Sequence, residues 1–183
     1  MSEKVFFSYD EIHQLVADSS HQIQKLDLDC MIAIGGGGFI PGRMLRSYTK
    51  LPLYSVSMKL YGEDDEIHQE EPVVFQWIDE HAEKEVRGKN ILIVDEVDDT
   101  RLTLDHCVRR IREFEPKSIT VYVIHSKDKE KRGTLGEDVK LVVGQYIKDV
   151  WINYPWESKD IQNHTIIARE QSETGVKEKY VLN

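Results

Sequence analysis

The chain has 183 residues, enough for one compact domain with a proper core, and carries 33 acids against 24 bases for a net charge of −9. That balance argues against nonspecific nucleic-acid binding, which needs phosphate-neutralising cations, while local positive charge can still meet a small anionic ligand. The apolar runs are too short to cross a bilayer, the start of the chain lacks a signal-peptide core, and Cys30 and Cys107, the only cysteines, lack metal-ligand spacing; a cytoplasmic protein with reduced thiols and no membrane or nucleic-acid partner is expected.

Ser8-Tyr9-Asp10-Glu11 spells a capping box, in which Ser8 caps and Glu11 reaches back. Ile12, Leu15, Val16 and Ile23 then give one apolar helical face. Met31 to Ile34 reads as a short buried strand ending in Gly35, Gly36, Gly37 and Gly38, with a helix after Pro41 that turns Met44 and Leu45 inward. Consecutive glycines permit positive φ and close approach of a ligand, and their N–H groups can form an anion nest; a tight turn without a ligand explains them equally well. Leu53 to Met58 predicts a second strand. The acidic stretch 61–72, with breakers Gly62 and Pro72, predicts a long loop or flap, and Val73 to Trp77 a strand within or beside it.

Ile91 to Val94 is a third strand that stops at Asp95 and Glu96; Asp98, Asp99, Thr100 and Thr103 follow, then Leu104, Val108 and Ile111 at helical spacing until Pro116. Four carboxylates within five positions repel one another more than helix capping requires, and a bound cation or polyol would relieve them. Acids at a strand end can grip sugar hydroxyls, while hydroxyls and free N–H groups at a helix start can grip a phosphate. Ile119 to Ile124 is the fourth strand, Lys127 to Arg132 a basic turn that by itself reads as solvated, and Leu141 to Val143 the fifth strand. Tyr154-Pro155-Trp156-Glu157 precedes a last helix, with Ser158 as its expected cap and Ile161, Thr165 and Ala168 along it; the polar tail after Gln171 is expected to fray. The alternation implies an α/β fold, a mostly parallel twisted sheet with helices on both faces, which binds ligands beyond the carboxyl ends of its strands.

Ile91 to Thr103 resembles the signature of the type I phosphoribosyltransferases: a hydrophobic strand, two acids, two variable residues, then Asp-Thr and a later Thr. Val150 to Glu157 resembles the C-terminal segment of the 6-oxopurine members, and the fungal hypoxanthine–guanine and xanthine enzymes are similar across 31–60 and 90–165. The resemblance implies one phosphoribosyltransferase domain over 1–183, with a flap at about 59–76, including Lys59 and Tyr61, and a purine-binding hood at about 144–160. It further implies that Asp95 and Glu96 hold the ribose of phosphoribosyl pyrophosphate (PRPP), and that Asp98, Asp99, Thr100, Arg101, Leu102 and Thr103 complete the ribose-phosphate site. Gly35, Gly36 and Gly37 would bind pyrophosphate, Lys127, Trp151 and Ile152 the purine, and Glu157 with Asp95 and Glu96 a magnesium ion, Mg2+.

The implied reaction is transfer of the phosphoribosyl group to N9 of hypoxanthine, guanine or xanthine. It yields a nucleoside 5′-monophosphate and pyrophosphate, with Asp99 as general base and Asp98 as the rival. By the same resemblance the assembly is a homodimer or homotetramer. Two departures stand out: Gly36 replaces a common Lys or Arg, and Arg101 replaces a common Gly. The alternative is a PRPP-sensing regulator of the same fold, against which the acidic balance and the full purine-side set both count.

Overall fold

A computed structural model describes residues 4–60 and 72–182. In chain order the elements are β1 (Lys4–Phe6), α1 (Tyr9–Ile23), β2 (Cys30–Gly35), α2 (Phe39–Thr49), β3 (Leu53–Lys59), β4 (Val73–Gln76) and α3 (Glu80–Val86). There follow β5 (Asn90–Asp98), α4 (Leu102–Arg112), β6 (Ser118–Asp128), β7 (Lys140–Lys148), β8 (Trp151–Asn153), α5 (Ile161–Glu173) and β9 (Val181–Leu182). The main sheet has seven strands in the order β4-β3-β2-β5-β6-β7-β9, parallel from β3 to β7 and antiparallel at both edges. Helices α2 and α4 cross between parallel strands, as that connection requires.

Alternation along β5 explains the two cores. Ile91 and Ile93 pack with Leu104, Cys107, Val108 and Ile111 of α4. Leu92 and Val94 pack on the other face with Ile12 and Val16 of α1 and Leu45 of α2. The capping box forms as expected, with the Ser8 hydroxyl accepting from Glu11 N–H and the Glu11 carboxylate accepting from Ser8 N–H.

Four expectations change. First, β5 and β6 outrun their apolar cores: their ladder continues to Asp98 opposite Ser126, which puts Asp95, Glu96 and Asp98 on the strand and not in a loop. Second, the cap of α5 is Asp160, whose carboxylate accepts from Asn163 N–H, and not Ser158. Third, the tail does not fray. It adds β9 to the edge of β7, and Lys177, only 6 % exposed, forms an ion pair with Glu11. Fourth, β1 pairs in parallel with β8, Val5 opposite Ile152, as a separate two-stranded sheet that hydropathy does not foretell. Of the expected flap at about 59–76, residues 61–71, Tyr61 included, lie outside the described residues; β4 forms within its remainder and Lys59 ends β3.

Candidate active site

A cavity of about 250 Å³ opens beyond the carboxyl ends of β5 and β6, lined by Glu96, Val97, Asp99, Lys127, Trp151, Ile152, Tyr154 and Glu157. The structure thus brings together residues from three separate chain segments that sequence reasoning had singled out. Trp151 is 47 % exposed, so its ring presents a face to the cavity rather than filling a core. Ile152 is buried, leaving its backbone as the polar edge. Behind them Tyr154 and Trp156 stack at 4.6 Å and 9°.

Asp95 and Glu96 are consecutive residues of β5 whose carboxyl groups interact with each other. Glu96 enters the cavity and lies against the glycine loop; a Cβ on Gly37 would fall 1.9 Å from its carboxylate. One carboxylate oxygen of Glu96, Oε2, is buried without a hydrogen-bond partner among the described residues. Asp95 lies on the Ile91–Ile93 face, towards Cys107, and accepts the Glu96 N–H at 3.0 Å. Burial first, then the neighbouring Glu96 charge, push the Asp95 carboxyl well above the usual range.

The glycine loop works differently from the expectation. None of Gly35 to Gly38 has positive φ; the glycines are required by close approach. A Cβ on Gly38 would lie 2.4 Å from the Val94 carbonyl and 2.5 Å from that of Ile34, whereas one on Gly36 would meet nothing. Gly38 N–H closes the loop onto Ile34 and Phe39 N–H onto Gly36; α2 starts without a side-chain cap, and since Pro41 carries no N–H, Ile40 is the one position of its first turn left to offer a donor to a ligand.

The turn after β5 has the same property. Helix α4 begins at Leu102 with no side-chain cap, and Thr100 and Thr103 flank its start. Arg101, which the resemblance marked as a departure from a common Gly, adopts φ 68° in a left-handed turn. Its guanidinium, expected to reach towards phosphate, instead grips Asp98 at 2.7 Å. Asp98 is fully buried and also accepts from the Ser126 hydroxyl at 3.1 Å, which withdraws it from the cavity and leaves Asp99 facing it.

Asp99 sits among cations, with Lys129 at 3.0 Å and Lys127 at 3.5 Å. Burial opposes its ionisation, but the hydrogen bond from Lys129 and the charge of Lys127 outweigh it and hold its carboxyl below the usual range. Asp149 balances this group, 3.1 Å from Lys129 and 3.9 Å from Lys127. The basic turn is therefore not solvated: Lys127 belongs to β6, and Lys127, Lys129 and Lys131 alternate with exposed Asp128, Glu130 and Arg132. That period of two was the signal in the sequence.

Neither Tyr154 nor His125 was given a role from the sequence. The Tyr154 hydroxyl donates to the Glu96 carbonyl at 3.2 Å and lies 2.9 Å from Nδ1 of fully buried His125. Because the phenol proton is committed to Glu96, Nδ1 must be the protonated nitrogen and donate to the phenol oxygen. Burial pushes the imidazole down to about 3 and the phenol well above its ordinary value, so both are neutral. The pair ties the segment just after β8 to the ends of β5 and β6.

Parallel strands, acids at a central strand end, and two uncapped helix starts facing them define an enzyme domain built to hold a phosphorylated sugar. A family model described as phosphoribosyl transferase domain matches residues 8–158, and the chain belongs to that family. It is 35 % identical to hypoxanthine-guanine phosphoribosyltransferase of Saccharomyces cerevisiae, with 93 % of each chain covered. It is 33 % identical to xanthine phosphoribosyltransferase 1 of the same yeast, covering 93 % of this chain and 97 % of that one. A hypothetical protein from Neisseria gonorrhoeae, crystallised with bound ppGpp, superposes with a TM-score of 0.83 at 39 % identity over 93 % of this chain and 98 % of its own.

Proposed function

We propose that the protein transfers the phosphoribosyl group of PRPP to N9 of a 6-oxopurine, as a purine-salvage enzyme. One observation carries this: Glu96, Asp99, Lys127, Trp151 and Glu157 line a single cavity beside two uncapped helix starts. The cavity is flat-walled at Trp151, which suits a heterocycle. Lys127 donates to the 6-oxo group and Asp99 takes the proton from N7 on the same edge. Glu96 accepts from ribose hydroxyls through the oxygen that has no partner among the described residues, while Asp95 holds the Glu96 backbone N–H. Residues 99–103 clasp the 5′-phosphate with the N–H groups of the α4 start, and the loop of Gly36 and Gly37 takes the pyrophosphate through its own backbone N–H groups. Positive charge that develops on the sugar ring meets the Glu96 carboxylate.

The unpartnered Glu96 oxygen and Glu157 in the same cavity are hard oxygen donors that fit Mg2+. Bound there, Mg2+ would neutralise charge on pyrophosphate. Two buried thiols, Cys30 and Cys107, suit a reducing cytoplasm. The ligand of the Neisseria gonorrhoeae protein combines a guanine, a ribose and two diphosphates. Those are the pieces this cavity and its two helix starts would hold, so ppGpp should compete with PRPP.

Pyrophosphate release is to be measured with hypoxanthine, guanine and xanthine, each with and without Mg2+. Turnover of at least one base, lost in Trp151→Ala through a KM raised about 5- to 150-fold for roughly 1–3 kcal/mol of stacking, supports the reading. PRPP binding without turnover of any base would refute it.

A further inference from the structure

The ladder between β5 and β6 ends with Asp98 opposite Ser126, and the residues that meet the substrate come immediately after. There one side chain bridges the two backbones. The Lys131 ammonium donates to the backbone carbonyls of Asp98 at 2.7 Å, Asp99 at 2.9 Å and Lys127 at 2.8 Å, and lies 3.4 Å from an Asp98 carboxylate oxygen. Three donations use every proton of a charged lysine. The neighbouring backbone follows: the Arg132 and Gly133 N–H groups donate to the Thr100 carbonyl at 3.0 and 3.2 Å. A Cβ on Gly133 would lie 2.5 Å from the Arg101 carbonyl, so this segment is pressed against the phosphate turn.

Two of the carbonyls that Lys131 holds belong to Asp99 and Lys127, whose side chains stand 3.5 Å apart in the cavity. A 6-oxopurine presents its carbonyl oxygen and N7 side by side on one edge, and each must come within about 2.6–3.2 Å of its partner. Building on the roles given to Asp99 and Lys127 above, we infer that Lys131 is a positioning residue of the transfer reaction, its ammonium fixing the spacing between the purine's proton acceptor and its 6-oxo donor. It touches no substrate and acts through the two residues whose backbone it binds.

The test is Lys131→Met, which keeps length and removes all donors. Well below the variant's own Tm, kcat should fall about 100-fold, as expected for a misplacement near 1 Å, with a much smaller change in the KM for PRPP. Lys131→Cys allows rescue, because Cys30 and Cys107 are buried and leave the introduced thiol as the reactive one. Alkylation with 2-bromoethylamine rebuilds a lysine-like ammonium and should recover turnover; alkylation with neutral 1-bromopropane should not. A lower Tm with unchanged kcat, or equal recovery by both reagents, would overturn the inference. If Lys131→Met does not fold, Lys131→Arg decides, since a planar fork cannot meet three converging carbonyls: reduced kcat supports the inference and native kcat overturns it. Asp99→Asn and Lys127→Met run alongside. Normal turnover in both would remove the roles assumed for those residues; impairment in both with native Lys131→Met kinetics would remove only the positioning role.

Discussion

Replacing Arg101 by glycine sets two effects of opposite sign against each other. Glycine relieves the left-handed backbone at φ 68°, worth about 1 kcal/mol for a non-glycine residue. It also removes the guanidinium from Asp98, a carboxylate with no exposure. Breaking a buried pair at one partner costs about 3–5 kcal/mol, and the Ser126 hydroxyl and Lys131 remain to moderate the loss towards its lower end. The net is a destabilisation of about 2 kcal/mol, or roughly 4–8 °C in Tm for a chain of this size. Arg101→Ala loses the same pair and keeps the strain, so it should melt a further 2–4 °C or so lower. Calorimetry or reversible urea unfolding of the three proteins gives the ranking native, glycine, alanine. A glycine variant at least as stable as the native chain would show that the Asp98 pair is worth less than the strain.

Asp99→Asn should lower kcat by roughly 10²–10⁴ while the PRPP dissociation constant from calorimetry stays near native; native turnover would end its role as base. Gly37→Ala places a methyl group in the Glu96 carboxylate, so steady-state kinetics should show a raised KM for PRPP with little loss of Tm, and native kinetics would contradict the close approach. His125 is depressed to about 3 when folded, below its ordinary 6.5. Its contribution to stability is therefore complete above about pH 6.5 and is lost as the pH falls towards 3, at up to roughly 1.4 kcal/mol per pH unit. Urea midpoints for native and His125→Gln between pH 7 and 4 should diverge in slope, and parallel lines would contradict the buried neutral imidazole. Added ppGpp should raise the apparent KM for PRPP without changing kcat, and an effect on kcat alone would place it elsewhere.

The central strands and the residues of the cavity were legible because each carries a local signal. Aliphatic runs mark β2, β5 and β6, a capping box marks α1, and the acids at 95–99 make an electrostatic oddity that invites a ligand. What stayed hidden depends on partners far along the chain. Strand pairing is a property of backbone, so β5 runs on through Glu96 to Asp98 despite their polarity. The three-residue β1 and β8 are too short for any periodicity, and each exists only against the other. Lys131 looked solvated because backbone carbonyls are what bind it, and Lys129 because its carboxylate partners, Asp99 and Asp149, lie far along the chain. The left-handed seat of Arg101 was equally invisible, since its guanidinium is repaid by a carboxylate three residues earlier that turns inward.

The junction of β1 with β8 bears on how the molecule is assembled during synthesis. The proposed ribose and phosphate grips draw on residues 35–133, so they can take shape while the later part is still being translated. The proposed platform for the base has to wait until Trp151 to Asn153 emerge and find Lys4 to Phe6, and a ribosome adding about 5–20 residues per second makes that wait about 1–4 s. A nascent chain should therefore acquire affinity for the sugar donor before it can discriminate among bases.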